Sequence, residues 1–138
     1  MTESQSWKSW AGYAFEGICM KHSDQIRKKL QIDRMSSEVA TWRFVPPKTS
    51  EETGAQIDLL FDRSDGIISV CEIKYSDNEF AIDKSYAKEL ERKLAVFRTK
   101  TTTRKHISLT LITSFGAKKN EYYNQLVSNE VTLEDLFG

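Results

Sequence analysis

Hydrophobic and polar positions along the 138 residues change their period several times, and each change marks an element. From Trp7 to Leu30 the apolar side chains recur at helical spacing through Trp7, Trp10, Ala11, Ala14, Phe15 and Ile18, while the outer side turns charged. One long helix packed against the core is predicted. Val39 to Val45 alternates loosely and stops at Pro46-Pro47, so a strand followed by a polar loop over Lys48–Thr53 is expected. Gln56–Asp62 and Ile67–Tyr75 read as paired strands. A helix starts near Asp83, with Tyr86, Leu90, Leu94 and Phe97 on its inner side. His106–Thr113 (HISLTLIT) is rich in β-branched residues and predicts a buried strand. A turn at Ser114-Phe115-Gly116, a helix near Asn120–Val127 and a capped turn from Thr132 complete the pattern. The predicted order is α-β-β-β-α-β-α: an α/β fold with a central mixed β-sheet flanked by helices. No repeat or low-complexity tract interrupts it, so residues 1–138 read as a single domain.

Composition narrows the class without naming a function. At 39% hydrophobic and 29% charged, with two prolines, the chain is neither disordered nor fibrous. No apolar run approaches the roughly 18 residues of a membrane span, and MTESQSWKSW lacks the apolar core of a signal peptide, so a cytoplasmic protein with no membrane partner is expected. Cys19 and Cys71 fall inside a predicted helix and a predicted central strand, a pattern of buried reduced thiols. His22 and His106 have no partner spacing for zinc. The net charge is zero, but from Lys84 to Lys105 the cations Lys84, Lys88, Arg92, Lys93, Arg98 and Lys100 outnumber Glu89 and Glu91. Such a segment is either a solvated helix face or an approach for phosphates.

The stretch GAQIDLLFDRSDGIISVCEIKYSD sets Asp58, Glu72 and Lys74 among Ile57, Leu59, Leu60, Ile68, Val70 and Ile73. On a strand Glu72 and Lys74 share one face, and Cys71, Ile73 and Tyr75 take the other. Both faces are largely apolar, and an ionised carboxylate there is costly unless paired or bound to metal. A three-residue turn, Ser64-Asp65-Gly66, sets Arg63 across from Ile67 and Asp58 across from Glu72. Two opposed carboxylates destabilise a sheet, and a divalent cation resolves the conflict. A second Glu-x-Lys, Glu91-Arg92-Lys93, falls in a predicted helix, where residues two apart diverge and build no shared site.

An Asp on one strand of a hairpin with Glu-x-Lys on the next resembles the motif of the PD-(D/E)XK, or restriction-endonuclease-like, nuclease superfamily. With SWAGYAFEGICMKH, GAQIDLLFDR, CEIKYSD and FAIDKSYAKEL, nearly the whole chain looks like the C-terminal nuclease-like domain found on a group of prokaryotic AAA-type ATPases. It departs from them in having no Gly-x-x-x-x-Gly-Lys-Ser/Thr phosphate loop, and Ile57 stands where the motif has proline. The resemblance implies a restriction-endonuclease-like core and a metal-dependent nuclease acting on DNA, working with an AAA-type ATPase domain or partner. It makes Asp58, Glu72 and Lys74 catalytic. Asp58, Glu72 and the backbone carbonyl of Ile73 would ligate Mg²⁺ or Mn²⁺, and Lys74 would serve water and phosphate. Glu16 matches a helix acid that completes such sites, the alternative being a solvent-facing glutamate. Lys84, Lys88, Lys118 and Lys119 are the expected nucleic-acid contacts, the last two beside Tyr122-Tyr123. The rival reading is a catalytically silent nucleic-acid-binding or regulatory module of an AAA-type ATPase, with Trp7 and Leu133/Leu136/Phe137 as contacts. The oligomeric state, including a homo-oligomer, stays open.

Overall fold

Strands joined by short connections pair antiparallel, whereas parallel neighbours need a crossover element. Both kinds of join are present in the computed structural model, which describes residues 3–138 and their side chains from Ser6 onward. β1 (Ser37–Phe44), β2 (Ala55–Arg63) and β3 (Ile67–Lys74) form an antiparallel meander. α3 (Lys84–Thr101) then carries the chain to β4 (His106–Thr113), and α4 (Glu121–Leu126) to β5 (Asn129–Thr132), both joining in parallel. The sheet order is β1-β2-β3-β4-β5, with β3 in the middle. α1 (Glu3–Lys21), α2 (Ser23–Lys29) and α5 (Leu133–Phe137) complete the order. The architecture is α/β, a five-stranded mixed sheet with helices on both faces. No helix among the described residues is long and apolar enough to cross a membrane.

Each face has its own core. Ile57, Leu60, Ile68, Val70, Leu109 and Leu111 pack against Ala87, Leu90 and Phe97 of α3. Leu59, Phe61, Cys71, Ile112 and Val131 pack against Phe15 and Cys19 of α1, Ile26 of α2 and Leu136 of α5. Both cysteines are free and buried, and burial pushes the Cys19 thiol up to about 12.

The long N-terminal helix divides. His22 leaves the helical region at φ −111° and ψ 32°, its ring Nδ1 lies 2.8 Å from the Ile18 carbonyl, and α2 restarts at Ser23. A side chain that bonds the backbone of the preceding turn competes with helix continuation. Trp10, expected on the core stripe, is exposed, as is Trp7, the surface contact of the binding-module reading; burial on α1 begins at Ala11. β5 also lies outside the predicted order. It is four residues long, and only its parallel pairing with β4 defines it as a strand.

Elsewhere local chemistry sets the boundaries. Gly66 takes φ 84° in the β2–β3 turn, a conformation that costs glycine little. Asp83 caps α3 by accepting the Tyr86 amide at 2.8 Å. Because α3 carries Tyr86 and Lys93 against the sheet, this cap is a test of the frame. Asp83→Ala is expected to cost about 1 kcal/mol in urea unfolding.

Candidate active site

Along β3, Ile68 and Val70 point toward α3, so alternation sends Glu72 and Lys74 to that side as well. Glu72 is 7% exposed. Lys93 of α3 donates to both of its carboxylate oxygens, at 3.1 and 3.0 Å, and the Tyr86 hydroxyl donates to Oε1 at 3.2 Å. The Lys74 ammonium sits 4.8 Å from the centre of the Tyr86 ring. Burial, then the charge of Glu72 and the bond to it, hold the Tyr86 hydroxyl protonated far above the usual phenol range.

The β2–β3 ladder follows the expected register from Asp62↔Ile68 to Leu59↔Cys71. On the other side of β2, Ala40 pairs with Leu60 but Trp42 pairs with Ile57. One residue of β1, Thr41, therefore stands against two of β2, Asp58 and Leu59, which is a β-bulge. The bulge explains why Ile57 and Leu60 share the α3-side core while Leu59 faces α1 and α2. It also aims Asp58. This carboxylate accepts from Gln56 Nε2 at 2.6 Å and opens on a cleft of about 440 Å³ shared with Tyr13, Glu16, Gly17 and Met20 of α1.

Glu16 is half-buried and lines this open cleft from α1, at the sheet end. Burial first, then the nearby Asp58 charge, raise its pKa above the usual glutamate value, while Lys74 opposes the rise. Glu16 also lines a second cleft, of about 570 Å³, with Lys8, Ile73, Lys74 and the Tyr75–Asn78 loop. Ser114 pins that loop, its hydroxyl accepting from the Ser76 amide and donating to the Ser76 carbonyl.

The site residues therefore divide into two linked groups. Glu16, Asp58 and Lys74 sense one another across the clefts, and Glu72, Lys93, Tyr86 and Lys74 form a network on the α3 side. Among the described residues, no group of three or more His, Cys, Asp or Glu side chains is arranged to hold a metal ion. The donors themselves suit a hard divalent cation: Glu16 and Asp58 offer oxygens in one cleft, and the Asp58 charge that adds to burial in raising Glu16 is what a cation relieves. Glu72 would join them only by exchanging Lys93.

Lys93 is the member that sequence reasoning passed over. It belongs to the second Glu-x-Lys, whose Glu91 is exposed and points elsewhere, as two-residue helical spacing requires. The available signal was another spacing: Lys93 lies seven residues after Tyr86 and three after Leu90, on the inward stripe. Of the expected phosphate contacts, Lys84 and Lys88 are exposed in one i,i+4 row with Arg92. Lys118 is exposed, and Lys119 is engaged by Glu130 at 2.7 Å and by the Tyr123 ring. A third cleft, of about 400 Å³, collects Arg43, Arg92 and Lys93 beside Gln56. Comparison with protein-family models, with curated proteins and with solved structures finds no match.

Two outcomes test this geometry. Folded protein holds the Glu16 proton to higher pH than the unfolded chain, so its contribution to stability falls as pH rises from the ordinary glutamate value through the raised one. Glu16→Gln is expected to flatten that loss and to leave the metal-free protein no less stable at neutral pH, read by thermal unfolding in EDTA. Lys93→Met strands a buried carboxylate and is expected to cost about 3 kcal/mol in urea unfolding, most of it recovered by adding Glu72→Gln.

Proposed function

We propose that this protein is a metal-dependent nuclease that hydrolyses DNA phosphodiester bonds, of the restriction-endonuclease-like kind its motif resembles. The observation that carries this reading is the buried Glu72 carboxylate in the central strand, two residues from Lys74 and at the sheet end where Asp58 and Glu16 open on the clefts. Carboxylates gathered there weaken the fold unless a cation is part of the design. Asp58 and Glu72, with the Ile73 carbonyl and Glu16, would hold Mg²⁺ or Mn²⁺. When bound, such an ion activates water and offsets charge on the departing oxygen. Lys74, held over the Tyr86 ring, would orient a water and meet a phosphate at the rim. Lys93 balances Glu72 until an ion does, and its release leaves a second cation for the phosphate backbone. An ATPase partner belongs to this reading through the resemblance.

One observation favours the silent binding or regulatory module: Lys93 already neutralises Glu72 without any ion. Cleavage of linear, circular, single-stranded and duplex DNA with Mg²⁺, Mn²⁺ or EDTA separates the two. The nuclease reading expects metal-dependent cleavage that falls by about 100-fold or more in Asp58→Asn and Glu72→Gln, the scale of losing one preorganised group. Lys74→Ala is expected to lose cleavage yet keep the rise in melting temperature that Mn²⁺ gives the wild type. Absence of cleavage and of any Mn²⁺ shift would leave the binding module.

A further inference from the structure

Three exposed aromatic side chains lie close together on one helix: Trp7, Trp10 and Tyr13 of α1 are 51%, 61% and 76% exposed. Leaving so much ring surface in water is unfavourable, and nothing in the core calls for it. The two indoles stack, with centroids 5.2 Å apart and planes at 29°. This face runs into the candidate active site. Tyr13 lines the cleft that holds Asp58 and Glu16, and Lys8, one residue from Trp7, lines the cleft that holds Glu16 and Lys74.

We propose that this face of α1 is a stacking platform for the bases of an unpaired nucleic-acid strand, and that it leads the strand into the cleft. The inference takes its destination from the nuclease reading, although stacking itself needs no metal. Three features select this occupant. Flat rings offer a surface to any base, and each stacked base contributes sequence-tolerant affinity. In sequence the rings are separated by Lys8, Ser9, Ala11 and Gly12 rather than by large aliphatic side chains, which suits a charged, slender ligand better than an apolar protein surface. Arg43, across the same cleft from Tyr13, supplies a cation beyond the acidic centre, so positive groups flank the carboxylates on both sides as a backbone with a phosphate at each step requires. Bases in an intact duplex are stacked on one another and do not reach such rings. The platform therefore prefers single-stranded or frayed ends.

The test uses the full chain in EDTA, with a labelled oligothymidylate and a blunt duplex of equal length at low salt. The oligothymidylate is expected to bind about tenfold or more tightly than the duplex and to quench tryptophan emission. Trp7→Ala/Trp10→Ala should weaken it by about tenfold or more, the scale of losing stacked bases, with an unchanged melting temperature. Equal affinity of wild type and double variant, or no binding by either, overturns the platform. Should the double variant change only self-association in light scattering, the face is a contact between copies, and the proposal fails. Normal metal-dependent cleavage with tryptophan-independent binding sinks the platform and spares the nuclease. Tryptophan-dependent binding without cleavage on any substrate does the reverse.

Discussion

A carboxylate in the central strand of a sheet covered on both faces has to be neutralised locally, because little water reaches it. Glu72 meets that requirement through Lys93 and Tyr86, both from α3. The pairing dictates how α3 sits: the turn that presents Tyr86 and the turn that presents Lys93 must both face β3, which brings Leu90 between them into the core. The same helix is tied to the start of β2 by Arg92, whose guanidinium donates to the Thr53 hydroxyl and the Gly54 carbonyl. Gly54 has no room for more, since a Cβ there would lie 2.8 Å from the Phe44 carbonyl. Helix, hairpin and site are thus held by one set of contacts.

The β2 bulge is the second constraint. A regular β2 would place Asp58 in the ladder directly across from Glu72, as two like charges. The extra residue takes Asp58 out of strict alternation and turns it to the cleft where Glu16 waits on α1. Repulsion is shifted rather than removed: the Asp58 charge adds to burial in raising the pKa of Glu16. The two carboxylates that lack an internal cation are thus the ones open to solvent, while the one with least access to water has its own lysine.

Such an arrangement couples any bound ion to α3. Drawing Glu72 toward a cation weakens its hold on Lys93, and Lys93 lies at the edge of a cleft that also contains Arg43 and Arg92. In the proposed function, loading the acids and freeing a cation for an anionic ligand would be one event. The aromatic face of α1 meets Asp58 and Glu16 through Tyr13, which lines the same cleft.

Much of this was legible in the chain by itself. Apolar periodicity and turn chemistry located β2, β3, α3 and β4, because each has a strong period and a local signal such as Gly66 or Asp83 at its end. Alternation alone set Glu72 and Lys74 on one face of β3, and the charged intruders marked the sheet end. Other features were decided only by tertiary structure. The break at His22, the exposure of Trp10, and the strand status of Asn129–Thr132 depend on where the sheet ends and what lies beside it. Lys93 is likewise invisible as a partner of Glu72 until α3 docks, since 21 residues separate them and helical spacing relates a residue only to its own helix. The bulge at Asp58 arises from a register difference between two pairings of one strand, a property that no strand has until both neighbours are in place.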